Sequence, residues 1–455
     1  MSLRRIPGTS QSYHLISFDG HGDEVRDADG TIASEVALAA LTDPAAGITD
    51  VFILSHGWQG DYDDAISQYD RWLGAANPDG VGDGIRPFVI GVHWPSKAWS
   101  DRELEAAPSG LLGDEPPAGG MSVADAVDEY AAAFGDSEDV REALTTVLQH
   151  AADTDPRQAI GKDDALPTEV TEAYRTLAAH VGANDSDDSL LGGGWTPDDA
   201  FEAVKADRDG DDGLLGGGGF FRKLRDALLT PLRQLAFWHG KNQAREFGER
   251  GGAQLLRAIL AATAPAVRVH LMGHSFGTIV VSSAVRGPGD APSAPARPVT
   301  SMFLVQGAVS LWAFAEHVPD GVGGGRGYLA DVVRGEFVSG PIVATTSKWD
   351  YAVGRFYPLA VGIAGQYLLG DELPKYGGIG TFGIQGAGAV DLPDLVPGST
   401  SDDTAFRPGT VYNIDASQVI HTLDGASGAH NDLAHAELSW LGWRAALVGV
   451  QRPGA

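Results

Sequence analysis

The pentapeptide Gly273-His274-Ser275-Phe276-Gly277 has the residue types and spacing best suited to chemistry in this chain. It follows a strand-like segment, Val267 to Met272 (VRVHLM), and precedes an apolar one, Thr278 to Val285, so it reads as a sharp turn from a strand into a buried helix. A serine on such a turn takes a strained backbone. The residues two before and two after it pass so close to neighbouring chain that side chains there would clash, a demand that Gly273 and Gly277 answer. The turn presents the hydroxyl at the positive end of a helix, where an anion developing during attack on a carbonyl is stabilised. A serine hydroxyl is a weak nucleophile, so it needs a base to take its proton and an acid to fix the base's tautomer.

On a strand-turn-helix of this kind the acid and then the base follow on loops after later strands. Asp350 stands in SKWDYAVG, directly after the strand-like PIVATT of residues 341–346; Asp331 precedes that strand and Asp415 ends the last one. After the last strand, TVYNI, three histidines are available: His421, His430 and His435. His430 lies in the small-residue loop GASGAHNDLAHAEL, with Asn431 or Asp432 as N-cap of a closing helix from Asp432 to Val448. His435 falls inside that helix and His421 sits too near the strand end. A loop lets the imidazole bend toward Ser275, and the adjoining helix N-terminus disfavours imidazolium, which keeps the base neutral. Ser275 is therefore expected as nucleophile, His430 as base and Asp350 as the orienting acid.

A fourth element is Ser55-His56-Gly57-Trp58-Gln59, after the apolar DVFIL. Oxyanion stabilisation takes two backbone N–H groups, expected from Phe276 and, past the turn that Gly57 permits, Trp58. Losing one such donor typically costs about 10² to 10³ in rate. The His56 side chain reads as a structural hydrogen-bonder.

The elements that must position these residues alternate in type. Tyr13 to Phe18, Asp50 to Leu54, Phe88 to His93, Val267 to Met272, Val299 to Val305, Pro341 to Thr346 and Thr410 to Ile414 read as strands. Thr31 to Leu41 and Asp61 to Ala75 read as helices between the first of them; the second has Ile66, Tyr69 and Leu73 at helical spacing and aspartates at its start. This alternation predicts a mostly parallel central sheet with helices on both faces. From Trp99 to Thr230 the texture turns Ala-rich and acidic, with helices expected at Val123 to Phe134, Val140 to Ala151 and Thr168 to His180 and no strand signal. Leu224 to Trp238 and Ala244 to Ala262 read as helices returning to the sheet. The expected organisation is a core of residues 1–100 and 231–455, an inserted helical cap at 101–230, and a long glycine-rich loop at 363–408 that could form a second lid.

Several functions are disfavoured. The formal net charge of -29 opposes nucleic-acid binding, which needs a basic stripe. The absence of cysteine excludes disulfides, thiolate metal sites and a cysteine nucleophile. DRDGDDG at 207–213 resembles a calcium loop but lacks glycine at the sharp turn, where Asp212 stands, and a closing glutamate. No H-E-x-x-H helix is present, and no metal or cofactor is expected. The N-terminal stretch lacks a signal-like apolar run, and no segment is long and apolar enough to span a bilayer, so a cytoplasmic protein without a membrane anchor is expected. Trp94, Trp99, Trp195, Phe220, Phe221, Phe237 and Trp238 are more often core residues at such spacing than the walls of an acyl pocket, and His93, His239 and His270 read as structural.

Taken in order, FILSHGW, FVIGVHWPS, HLMGHSFG, VATTSKWDYAVG and GAHNDLAHAEL resemble the α/β-hydrolase superfamily, in particular bacterial serine esterases and lipase-like hydrolases. The resemblance covers roughly residues 10–100 and 240–450. It implies a serine esterase or lipase-like fold and activity carried by Ser275, Asp350, His430, Trp58 and Phe276; apart from the resemblance, the substrate expected is an apolar small-molecule acyl ester. An amidase, thioesterase or acyltransferase on the same triad, or a non-catalytic scaffold of the same fold, are the alternatives. The long loop before the histidine strand departs from the family pattern.

Overall fold

Short, mostly apolar runs form the strands β2 (Ser12–Ser17), β3 (Asp50–Ser55), β4 (Pro87–His93), β5 (Arg268–His274), β6 (Ser301–Val305), β7 (Ile342–Thr346) and β9 (Val411–Asp415), and the three-residue segments β1 (Leu3–Arg5) and β8 (Val390–Leu392) pair at the two sheet edges. The helices are α1 (Ala33–Leu41), α2 (Tyr62–Ala76), α3 (Val123–Phe134), α4 (Glu138–Asp153), α5 (Thr168–His180), α6 (Gly217–Phe247), α7 (Ala253–Ala262), α8 (Gly277–Arg286), the single turn α9 (Ile379–Phe382) and α10 (Ala436–Ala446). This computed structural model describes residues 3–58, 61–76, 85–96, 122–153, 166–181, 196–198, 201, 217–289, 291–320, 324–356, 373, 377–392 and 406–448. The chain divides into two units, one of Met1–Ser96, Asn242–Gly354 and Lys375–Ala455, the other of Lys97–Lys241 and Arg355–Pro374.

In the first unit the strands form one mixed sheet in the order β1-β2-β4-β3-β5-β6-β7-β9-β8, antiparallel only between β1 and β2. The protein is thus of the α/β class. Strands β3 and β6 are buried at every position, as strands covered on both faces must be. Phe52 and Leu54 of β3 face Tyr69, Trp72 and Leu73 of α2 and Leu438, Leu441 and Ala445 of α10. Because side chains alternate along a strand, Val51 and Ile53 face the other side, where α8 is buried along its whole length. Each large apolar side chain buried in this way contributes about 1.5–3 kcal/mol relative to exposure. Since β2 to β9 run parallel, the loops that follow β3, β5, β6, β7 and β9 emerge at the same edge, the usual place for a site in such a sheet.

The second unit is helical among its described residues. Ser122 caps α3 in a reciprocal box with Asp125, and Tyr130, Phe134, Val140, Leu144, Tyr174 and Leu177 form buried surface on α3, α4 and α5. Arg141 ties α4 back to Asp128 and Asp136. Trp238 is also buried there. The segment 207–213, Trp99, Trp195 and the side chains of Phe220 and Phe221 lie outside the described residues.

Four features differ from the sequence expectation. The two helices expected around Leu224–Trp238 and Ala244–Ala262 are instead one continuous α6, then a π-helical segment at Gly248–Gly252, then α7. The interruption falls where the backbone passes closest to α8, since a Cβ on Gly248 would stand 2.6 Å from Val280 O. Residues 231–241, expected in the core, group with the helical unit. The described part of the glycine-rich stretch 363–408 is no plain loop: it forms α9 and the edge strand β8, and 377–386 is hydrogen-bonded to the loop after β6 through Leu311 N to Gly377 O, Ile379 N to Val309 O and Gln385 N to Leu311 O. Finally, α10 begins at Ala436 with His435 as N-cap, not at Asp432. The Asp432 carboxylate is engaged elsewhere, accepting from His421 N and Thr422 N and contacting His435 Nε2 at 2.7 Å. Among the described residues no helix is long and apolar enough to cross a membrane.

Candidate active site

Strand β5 ends at His274, and the chain turns at Ser275 into α8. Ser275 has φ 54°, one of two non-glycine residues with positive φ among the described residues. A β-carbon on Gly273 would lie 2.5 Å from Gly277 O, and one on Gly277 would lie 2.5 Å from His56 O. The turn is fastened to the next strand: Ser275 N donates to Val305 O at 3.2 Å, Ala308 N donates to Ser275 O at 3.2 Å, and Thr278 Oγ1 donates to the same carbonyl at 2.6 Å. Strain in the left-handed region persists only where surrounding structure enforces it, and these bonds do so.

His430 and Asp350 arrive on two loops that are joined to each other. Ala429 N donates to Trp349 O at 2.8 Å, and Asp350 and Gly428 form an antiparallel bridge. Gly428 has φ 64°, and a β-carbon there would stand 2.7 Å from the Tyr351 ring. Ser347 Oγ donates to Ile420 O at 2.7 Å and fixes the start of the acid loop. The result is a continuous relay. Ser275 Oγ is 2.8 Å from His430 Nε2, and His430 Nδ1 is 2.9 Å from Asp350 Oδ2. A carboxylate can only accept, so Nδ1–H donates to Asp350 Oδ2, and Nε2 accepts from the serine hydroxyl. Ser275, His430 and Asp350 are 6%, 7% and 1% exposed, so little water competes for these contacts.

Asp350 has further donors. Its Oδ2 accepts from Gln306 Nε2 at 2.8 Å and its Oδ1 from Val353 N at 3.0 Å. His274, noted only for its place in the motif, holds the base loop: its Nε2 donates to His430 O at 3.0 Å and its Nδ1 accepts from Gln68 Nε2 at 2.9 Å. Burial pushes His274 well below the ordinary histidine range, which keeps it in this neutral form.

The loop after β3 abuts the serine. A β-carbon on Gly57 would lie 2.8 Å from Ser275 Cβ and 3.1 Å from His274 Nδ1, and the rings of Trp58 and Phe276 pack with centroids 5.5 Å apart. His56 N donates to Tyr69 Oη at 2.9 Å. The His56 ring lies between Gly57 O, 2.8 Å from Nδ1, and Trp94 N, which donates to Nε2 at 3.3 Å. Burial lowers this histidine to about 3, so it stays neutral and serves as a structural brace. Trp94 is fully buried beneath it, with rings 5.6 Å apart, and is core here. Gln59 lies outside the described residues.

The structure thus brings Ser275, His430 and Asp350 together, with Gly57, Trp58, Phe276, Gly273, His274 and Gly277 around them. His421 and His435 are turned to Asp432 through backbone and side chain respectively. The α10 N-terminus lies six residues beyond His430, so the helix end expected to adjoin this histidine does not do so. Gln306, Gln68 and Gly428 were missed from sequence. Only Gly428, in a run of small residues before the histidine, carried a local signal.

A second Ser-His-Asp constellation lies at the opposite edge of the sheet, at the starts of β3, β5 and β6. His270 Nδ1 is 2.8 Å from Ser301 Oγ, and its Nε2 is 3.1 Å from Asp50 Oδ1. Asp50 is also held by Arg268 through two contacts of 2.7 Å and by Thr49 Oγ1 at 2.6 Å. Burial alone would raise Asp50, but the bonds from His270, Arg268 and Thr49 outweigh it and lower the carboxyl to about 2. Burial lowers His270, against the opposing pull of its bond to Asp50. Ser301 sits within a strand and is 4% exposed, so the same residue types here brace the sheet.

Comparisons with protein-family models, with curated proteins and with solved structures find no match for this chain.

Proposed function

We propose that this protein is a serine hydrolase of the α/β-hydrolase fold that cleaves a carboxylic ester through an acyl-enzyme. The observation that carries the reading is the unbroken Ser275–His430–Asp350 relay, 2.8 and 2.9 Å, on a turn where the serine is held at φ 54°. The strand order, with β3 and β4 crossed over and the serine after central β5, supports it. Ser275 Oγ attacks the carbonyl carbon as its proton passes to His430 Nε2. The tetrahedral intermediate collapses, and His430 gives that proton to the departing alkoxide. A water then attacks the acyl-enzyme carbonyl, losing a proton to Nε2. Collapse of this second intermediate returns the proton to Ser275 Oγ and releases the carboxylic acid. Asp350 holds the imidazole in the required tautomer and stabilises imidazolium. Backbone N–H groups of Phe276, at the start of α8, and Trp58, beside Gly57, are assigned to the oxyanion.

The test is turnover of small apolar acyl esters by wild type and by Ser275→Ala and His430→Ala. Both variants should lose up to about 10⁶ in turnover while remaining folded. Folded Ser275→Ala protein with wild-type turnover refutes the assignment.

A further inference from the structure

We propose that Gln306 is a positioning residue for the acid of the relay, a role that rests on the hydrolase reading above. Gln306 follows β6 directly, is fully buried, and is the second non-glycine residue with positive φ among the described residues, at 45°. The first is the serine itself. Such backbone strain is retained where a side chain must be delivered to one place.

The orientation of its amide follows from bonding. Gln306 N donates to Thr345 Oγ1 at 3.1 Å, and the Thr345 hydroxyl then has its single proton for Gln306 Oε1, also at 3.1 Å. With Oε1 fixed, Nε2 must face the other way. There it donates to Asp350 Oδ2 at 2.8 Å and approaches Gly380 O at 3.4 Å. The oxygen that receives His430 Nδ1–H is therefore the one that Gln306 holds. Val353 N on Oδ1 completes a carboxylate anchored by neutral donors. A neutral donor aims the carboxylate and leaves its charge for the imidazolium, whereas a lysine or arginine there would oppose that charge. The turn at α9 closes this arrangement, since a β-carbon on Gly380 would meet Gln306 Cα at 3.0 Å and Asp350 Oδ2 at 3.1 Å. The titratable groups facing position 306 are Asp350 in contact and His430 behind it. Thr345 and the Gly378–Phe382 turn bring none, and His274 packs at a tilt against His430 with ring centroids 4.9 Å apart.

Two substitutions test the role. Gln306→Leu removes the donor at similar size and should lower kcat about 10²-fold with KM within about twofold, at every pH where wild type is active. Gln306→Glu makes a different prediction. Buried against Asp350, the new carboxyl holds a proton near neutral pH and donates it to Oδ2, so activity stays within about tenfold of wild type. On ionisation that donor is lost, and kcat/KM falls at alkaline pH through a limb that wild type lacks. A residue that merely filled space would give no such limb. The proton on His430 Nδ1, followed by NMR in the free protein, supplies a readout without substrate: it should exchange faster with water in Gln306→Leu than in wild type. Wild-type kcat in folded Gln306→Leu, a pH-independent deficit in Gln306→Glu, or unchanged exchange of that proton would each overturn the proposal. Absence of ester turnover in wild type would instead defeat the functional reading and leave the exchange measurement to decide the role of Gln306.

Discussion

Removing the acid from each of the two Ser-His-Asp constellations should have opposite consequences. In Asp50→Asn the loss is one of stability. The folded-state carboxyl is lowered from 3.8 to about 2, which corresponds to about 2 kcal/mol of stability at neutral pH. A depressed carboxyl contributes fully above its unfolded value, near pH 4, and the contribution is lost as pH falls through the folded value near 2. Asparagine also leaves the Arg268 guanidinium without its bidentate partner; that side chain is 25% exposed, so water relieves part of the cost. The total expected loss is about 2–4 kcal/mol at pH 7. Urea unfolding followed by tryptophan fluorescence at pH 7, 3 and 2 measures it. The carboxylate's part of the difference from wild type should shrink to about half near pH 3 and almost vanish near pH 2. The kcat/KM of folded Asp50→Asn should stay within about twofold of wild type. Asp350→Asn should instead lower kcat by about 10⁴, because the histidine then loses its fixed tautomer. A stability gap for Asp50→Asn that is the same at pH 7 and pH 2, or a folded Asp50→Asn protein without turnover, would refute this division of labour.

Three other outcomes follow from the contacts. Gly57→Ala sets a methyl 2.8 Å from Ser275 Cβ, and pushing away the loop that carries the proposed oxyanion donor Trp58 should cost about 10² in kcat/KM with an unchanged circular dichroism spectrum. His274→Leu removes the donor to His430 O and should lower kcat about tenfold with little change in KM, measured by steady-state kinetics. Tyr69→Phe strips a buried hydroxyl that donates to Val92 O at 2.6 Å and accepts from His56 N, so it should destabilise the fold by about 1–3 kcal/mol in urea titration.

Much of this arrangement was legible in the chain because local pattern and local structure coincide. The run Val51 to Leu54 is apolar on both faces because the sheet is covered on both faces there, and glycines at 273 and 277 mark a turn with no room for side chains. Asp350 and His430 could be chosen because each lies on a loop after a short strand-like run, PIVATT or TVYNI. What stayed hidden depends on tertiary neighbours. Gln306 looks like an ordinary strand end; its role exists only because Thr345, far along the chain, consumes its carbonyl oxygen. Strand β8 is three residues long, with Val390 exposed at a sheet edge, too little for a period-two signal. The start of α10 was misplaced because Asp432, a good N-cap by type, spends its carboxylate on the backbone of His421 and Thr422. The Asp50 network also shows why residue type alone does not define a relay: His270 has both serine and carboxylate partners, yet no strained turn presents Ser301.

The central claim is that His430 and Asp350 make the Ser275 hydroxyl a nucleophile. A fluorophosphonate probe followed by peptide mapping tests it most directly, because the phosphonyl group bonds covalently to an activated serine and marks its position. The account predicts one modified peptide, carrying the label on Ser275, and loss of labelling in both Ser275→Ala and His430→Ala. Label on another serine, or full labelling of Ser275 in folded His430→Ala, would contradict it.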